Sequence, residues 1–230
     1  MRLVRIALFG AAVAAASACT SEGGAGFFIV QNNVPGEGCV ISPDVTSPFL
    51  SRGAVEVDLA NGYFFTPVAQ SLFQTSENAD VDHVIFVQGA DVSISFPSHE
   101  LDDFSTVRQM FSGSIFPGGT TSFGFQIVSR DDLDAMAGTV SDDPAHPLAV
   151  RVEVAMFGNA DGESVEAEPY FYNVDVCRGC VAYNLGSCAE IPEGTVIRSG
   201  GSCNIFQDAA VDCCVDALER LICPAQPPGA

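Results

Sequence analysis

Val150-Arg151-Val152-Glu153-Val154-Ala155-Met156 alternates without a break, four apolar side chains against Arg, Glu and Ala. A period of two belongs to a strand with one dry face, because successive side chains of an extended chain point to opposite sides. The turn-forming run Gly158-Asn159-Ala160-Asp161-Gly162 follows it. The same period recurs in both directions. Upstream, Phe123, Phe125 and Ile127 alternate after the Pro117-Gly118-Gly119 break, and Val92, Ile94 and Phe96 alternate with Ser93 and Ser95. Val84 to Val87 is a short apolar run that suits a buried strand. Downstream, Tyr170, Tyr172, Val174 and Val176 lead into Cys177.

Nearer the start, Ala54-Val55-Glu56-Val57-Asp58-Leu59 places Val55, Val57 and Leu59 on one face and the acids on the other. Asn61-Gly62 comes next, and that pair between apolar runs predicts a hairpin through a type I′ turn. Six to eight short strands with turn signals between them predict an all-β chain. The expected architecture is an antiparallel β-sandwich of Ig-like or Greek-key character over residues 27–177. One short helix is expected inside it. Ser129 caps Arg130 to Ala137, Asp131 and Asp132 suit the positive end of the dipole, and Gly138 ends it.

Composition changes at Cys177. The nine cysteines stand at 19, 39, 177, 180, 188, 203, 213, 214 and 223. Seven fall between 177 and 223, which predicts a small cysteine-rich module over residues 178–230. If every thiol after Cys19 pairs, one bond must leave that module, and Cys39 is its only partner. The other connectivities stay open, since eight cysteines allow 105 pairings. Val211, Cys214, Val215, Leu218, Leu221 and Ile222 recur at helical spacing, opposite Asp212, Asp216, Glu219 and Arg220, which predicts a short helix started near Asp208 and stopped by Pro224. On it Cys213 and Cys214 diverge and bond different partners.

The first 18 residues have the three parts of a secretory signal: Arg2 and Arg5, an apolar Ile6 to Ala16, and small residues before Cys19. The apolar part is shorter than the roughly 20 residues a membrane span needs. Ala16-Ser17-Ala18-Cys19 resembles a bacterial lipobox, with Ala16 where Leu usually stands. Cutting before a lipidated Cys19 leaves eight thiols, an even number; the ordinary signal peptidase, which Ala16-Ser17-Ala18 also suits, would leave nine. Cys19 is therefore the expected lipid carrier, and Thr20 to Gly26 the tether. The mature chain keeps 29 acids and 9 − 2 = 7 arginines, with no lysine, so its formal charge is 7 − 29 = −22. Such a surface repels phosphate backbones and anionic lipid, so nucleic acid is not an expected partner and a covalent lipid is the expected route to a membrane.

Chemistry is harder to find. Cys177-Arg178-Gly179-Cys180 is compatible with a metal knuckle, a redox pair or a structural disulfide, and only the last accounts for all eight thiols together. Asn159, Asp161 and Glu163 form a weak Ca²⁺ candidate; solvated acid is the plainer reading. His83 has Asp80 and Asp82 close by, yet no G-x-S-x-G elbow accompanies it, and no catalytic residue is assigned. The triplets Tyr63-Phe64-Phe65 and Tyr170-Phe171-Tyr172 must each turn a ring away from the core, either under the cysteine-rich tail or outward as a contact patch.

Three groups of residues together resemble a family of predicted lipoproteins that recur in myxobacteria. They are Phe28 to Pro35 before Cys39; Gly62-Tyr63 leading to Thr66-Pro67-Val68; and Val176 to Cys180 with Cys203, Gln207-Asp208 and Asp212-Cys213-Cys214. The resemblance covers nearly all of the mature chain. It implies a Gram-negative envelope and, with Thr20 after Cys19, sorting to the outer membrane; it lends no functional residue. The expected function is a lipid-anchored envelope module that binds a protein or glycan partner or serves a structural role. The alternatives are a hydrolase acting on envelope or extracellular polymers, and a calcium-dependent adhesion module.

Overall fold

The computed structural model describes residues 26–74, 83–98 and 101–226. The signal, Cys19, most of the tether, Asp80, Asp82 and His99 lie outside the described residues. In chain order the strands are β1 (Phe27–Asn33), β2 (Phe49–Leu50), β3 (Gly53–Glu56), β4 (Gly62–Phe65), β5 (Pro67–Ser71), β6 (Ile85–Ser95), β7 (Val107–Ile115), β8 (Thr120–Ser122) and β9 (Phe125–Ser129). The helix α1 (Arg130–Met136) follows, then β10 (Leu148–Ala160), β11 (Glu163–Glu166), β12 (Tyr170–Cys177), β13 (Ala182–Ser187), β14 (Val211–Val215) and β15 (Leu221–Ile222). No helix among the described residues is long and apolar enough to cross a membrane.

The expected β-sandwich forms. One layer is the six-stranded sheet, ordered β3-β12-β10-β6-β7 with β11 paired to β10. The other is the sheet β2-β1-β5-β8, extended by the ribbon β4–β9. The alternating stretch is the middle of β10, and Leu148, Val150, Val152, Val154 and Met156 are all buried while Arg151 is exposed. They meet Tyr172, Val174 and Val176 of β12 and the inward side chains of β6, and across the gap Phe27, Ile29, Phe65, Phe125 and Ile127 of the second layer. Phe65 fixes the spacing between layers, its ring centroid 5.2 Å from Tyr172 and 5.8 Å from Phe125. The helix forms as expected. Ser129 and Asp132 make a reciprocal capping box, and Leu133 and Met136 are buried in the core.

The sheets are mostly antiparallel as expected, with two parallel pairs, β3 with β12 and β13 with β14. Two other expectations fail. Asn61-Gly62 is not a hairpin turn: β3 and β4, on either side of it, join different sheets. Gly62 has φ +134°, and a Cβ there would sit 2.3 Å from the Val128 carbonyl oxygen, so the glycine permits close approach of β4 to β9. The hairpin with two positive-φ residues is instead Asp161-Gly162, between β10 and β11.

The predicted tail helix is also absent. Val211–Val215 and Leu221–Ile222 are antiparallel strands joined by a turn that the Asp216 carboxylate holds, accepting from Leu218 N and Arg220 N at 2.8 and 2.9 Å. Two short strands across a tight turn reproduce the i, i+3, i+4 spacing, and the burial of both adjacent cysteines decides between the readings. Cys213 and Cys214 are adjacent and both fully buried, as two faces of a strand permit.

Gly62→Ala should lower stability by about 2 kcal/mol or more, since it adds both a clash and a strained φ. A thermal melt should show a fall of roughly 5 °C; Gly138→Ala, where nothing lies within 4 Å, should leave the melt unchanged.

Candidate functional site: a polar seam under the cysteine-rich module

All eight cysteines after Cys19 are paired: Cys39–Cys203, Cys177–Cys180, Cys188–Cys214 and Cys213–Cys223. The expected bond out of the module is therefore Cys39–Cys203, and Cys213 and Cys214 do bond different partners. A chain so bonded matures in an oxidising, extracytoplasmic compartment.

The module is seated on the sandwich by two sets of buried polar contacts. The first runs through the interior. Asn32 Nδ2 donates to the Tyr172 hydroxyl at 2.9 Å, the two tyrosine hydroxyls are 3.0 Å apart, and the Tyr63 hydroxyl donates to Asp208 Oδ2 at 2.9 Å. With Tyr63 committed to the carboxylate, Tyr172 is the donor between the tyrosines. Asn32 in turn accepts from Thr66 N and Thr66 Oγ1. The Asp208 carboxylate also accepts from Ala54 N at 2.9 Å and Gln207 Nε2 at 3.1 Å. One line of hydrogen bonds thus crosses from β1 through β12 and β4 to the tail.

Asp208 is a non-glycine residue at φ +61°, a conformation that costs on the order of 1 kcal/mol or more and persists only where its surroundings impose it. Burial pushes its carboxyl up to about 6, against the hydrogen bonds from Ala54, Tyr63 and Gln207 that favour the charge. Burial likewise raises both tyrosines above the ordinary phenol range. Beside it, Gln207 pairs with Phe64 as a strand would, accepting from Phe64 N at 2.8 Å and donating to Phe64 O at 2.9 Å. This covers the free edge of β4. Asp208 and Gln207 line a cleft of about 140 Å³ with Val34, Pro35, Leu50 and Gly201.

The second set centres on Glu56. The alternation Val55-Glu56-Val57 turns this acid away from the sandwich core, but it is 4% exposed, because the Cys177–Cys180 loop covers it. Its carboxylate accepts from Gly179 N at 2.7 Å, Val181 N at 3.3 Å and Ala182 N at 3.2 Å. One of its oxygens and both sulfurs of Cys177 and Cys180 lie within 4.8 Å of one another.

The other candidates do not converge on either set. His83 pairs through Nδ1 with Asp161 and sits beside the Phe73 ring, half exposed. In the Asp161-Gly162 turn, Asn159 Oδ1 accepts from Gly162 N at 3.0 Å, so Asn159 and Asp161 are each occupied by a partner of their own. Glu163 is exposed. Of the aromatic triplets, Tyr63 and Phe65 are both buried on one face of β4, as residues two apart in a strand are, and Phe64 between them is left half buried. Phe171 instead stands outward, 51% exposed, with Arg151 stacked 4.3 Å over its ring.

No protein-family model matches the chain, and no curated protein matches it. Among solved structures, a protein from Archaeoglobus fulgidus is similar at a TM-score of 0.31 and 10% identity, over 48% of this chain and 80% of its own. The sporulation control protein Spo0M from Bacillus subtilis is similar at 0.27 and 14%, over 56% of this chain and 50% of its own. Likeness of this degree says nothing about the seam.

Because the folded chain holds the Asp208 proton more tightly than the unfolded chain, this group stabilises fully below about pH 4 and less as pH rises through 6. Between pH 4 and 7 the wild type should lose roughly 2 to 3 kcal/mol more than Asp208→Asn, read from urea midpoints. Removing Cys39 and Cys203 together should cost about 5 kcal/mol in the chain-entropy model, against about 2 kcal/mol for Cys177 with Cys180, because the loops they close differ so much in length. Equal losses in the same titration would sink the cross-linking role of Cys39.

Proposed function

We propose that the protein is exported, held at the outer membrane by a lipid on Cys19, and works there as a non-enzymatic binding module for a protein or glycan partner. The observation that carries the address is the closed pairing of the eight later cysteines, each with another of the eight. Their pairing is complete among themselves, in keeping with a lipid on Cys19. The formal charge of the mature chain gives it no other attraction to an anionic surface.

The binding reading is supported by how the interior and the surface differ. The sandwich is filled, and its polar seam is saturated: Asp208 accepts from Ala54, Tyr63 and Gln207 of its own chain. A general acid or base needs a hydrogen-bonding position left for substrate. The outward face of the six-stranded sheet is different. Phe86 of β6 is 57% exposed, Phe157 of β10 lies under Arg108 at 4.5 Å, and Phe171 of β12 lies under Arg151. Rings and guanidinium groups on one face of three adjacent strands are what protein and glycan contacts use.

The intact mass of the protein from its native envelope, with and without reduction, tests the address. The expected mass is that of a chain beginning at acylated Cys19, rising by about eight daltons on reduction, two for each of four disulfides. An unacylated mass would remove the anchor from this reading.

A further inference from the structure

We infer that Cys177–Cys180 is an exchangeable disulfide, opened and closed by the dithiol of an extracytoplasmic thiol–disulfide partner, with Glu56 as the proton carrier for the buried sulfur. Three features set it apart from the other three bonds. Its cysteines are 3 residues apart in sequence, against 164, 26 and 10, so it closes the shortest loop and constrains the unfolded chain least. Opening it does not release its loop, because Glu56 still accepts from the amides of Gly179, Val181 and Ala182. And a carboxylate buried to 4% exposure stands within 4.8 Å of both sulfurs, where a purely structural crosslink needs no acid.

Exposure gives the order of events. Cys177 is 1% exposed and Cys180 is half buried beside the exposed Gly179, so an incoming thiolate reaches Cys180. That thiolate attacks Cys180 Sγ and forms a mixed disulfide. The Cys177–Cys180 bond breaks, and its electron pair leaves on Cys177 Sγ, which takes up a proton passed over the Glu56 carboxylate. The second thiolate of the partner then attacks the partner's own sulfur in the mixed disulfide, and Cys180 leaves as thiolate and is protonated from water. Two electrons and two protons pass to the protein, and the partner's dithiol becomes a disulfide. In reverse, Glu56 accepts the Cys177 proton and frees the thiolate that attacks.

The charged groups on the surrounding elements are engaged elsewhere. Arg178 pairs with Asp58 and Asp142, Asp175 with Arg52, Arg198 with Asp212, and Asp208 with Tyr63 and Gln207. Glu56 is therefore the carboxylate that the sulfurs meet.

The test uses the full mature chain, folded, in dithiothreitol buffers of graded strength, quenched with an alkylating reagent and read by peptide mass. Labelling should appear first on Cys177 and Cys180, with the other six cysteines still paired and the folded spectrum retained. Simultaneous opening of all four bonds, or earlier opening of Cys39–Cys203, overturns the proposal. The exchange rate of Glu56→Gln, which keeps an acceptor for the loop amides, should fall about ten-fold or more at pH 7, compared with the wild type at the same dithiothreitol thiolate concentration. An unchanged rate in that variant removes Glu56 from the step, whether or not the disulfide opens first.

Discussion

A single line of hydrogen bonds, from Asn32 through Tyr172 and Tyr63 to Asp208, decides how the two parts of this chain fit together. Asn32, Tyr172 and Tyr63 are buried and Asp208 is partly buried at a cleft, and a buried donor or acceptor left unmet costs about 1–3 kcal/mol. The line is satisfied with β1, β4 and β12 at their observed spacing and the tail loop seated beside them. Apolar packing alone would tolerate some sliding of the module over the sandwich. This line does not, and the left-handed backbone at Asp208 follows from it, because that conformation brings the carboxylate to both Tyr63 and Ala54.

Glu56 and Gln207 extend the same logic to the rim. Each offers a side chain to backbone groups that no neighbouring strand supplies. Gln207 stands in for a strand beside Phe64, and Glu56 collects three amides of the Cys177–Cys180 loop. The cysteine-rich module therefore completes the hydrogen bonding of the sandwich rather than hanging from it, which is why β3 can end a sheet in parallel pairing with β12.

What was legible in the residues was whatever depends on neighbours in the chain. The period of Val150 to Met156 and the Ser129 cap each rest on a few adjacent positions, and the structure follows both. The bond to Cys39 was legible for a different reason, since parity is a property of the whole chain and needs no geometry. The seam was not legible. Tyr63, Tyr172 and Asp208 are spread over 145 positions, and nothing near any of them signals the others. The role of Glu56 was not legible either, because alternation reports only which way a side chain points, and here the outward side is covered by residues more than a hundred positions later. The Val211 to Ile222 stretch misled because a turn between two strands can imitate helical spacing, and only the burial of both Cys213 and Cys214 separates the cases.

The Cys39–Cys203 bond also has a mechanical meaning. A pull on residues 26 and 226 in opposite directions is carried along the chain to Cys39, across the sulfur bridge, and on from Cys203. Everything from β2 to β13 lies inside the closed loop and is loaded only through its links to that path, among them the Cys188–Cys214 bond and the pairing of β5 with β1. Within the load path, β14 and β15 are bridged again by Cys213–Cys223, which leaves β1 as the element that must yield first. Its pairs with β5 run along the strand, so they resist as a row in shear rather than opening one at a time.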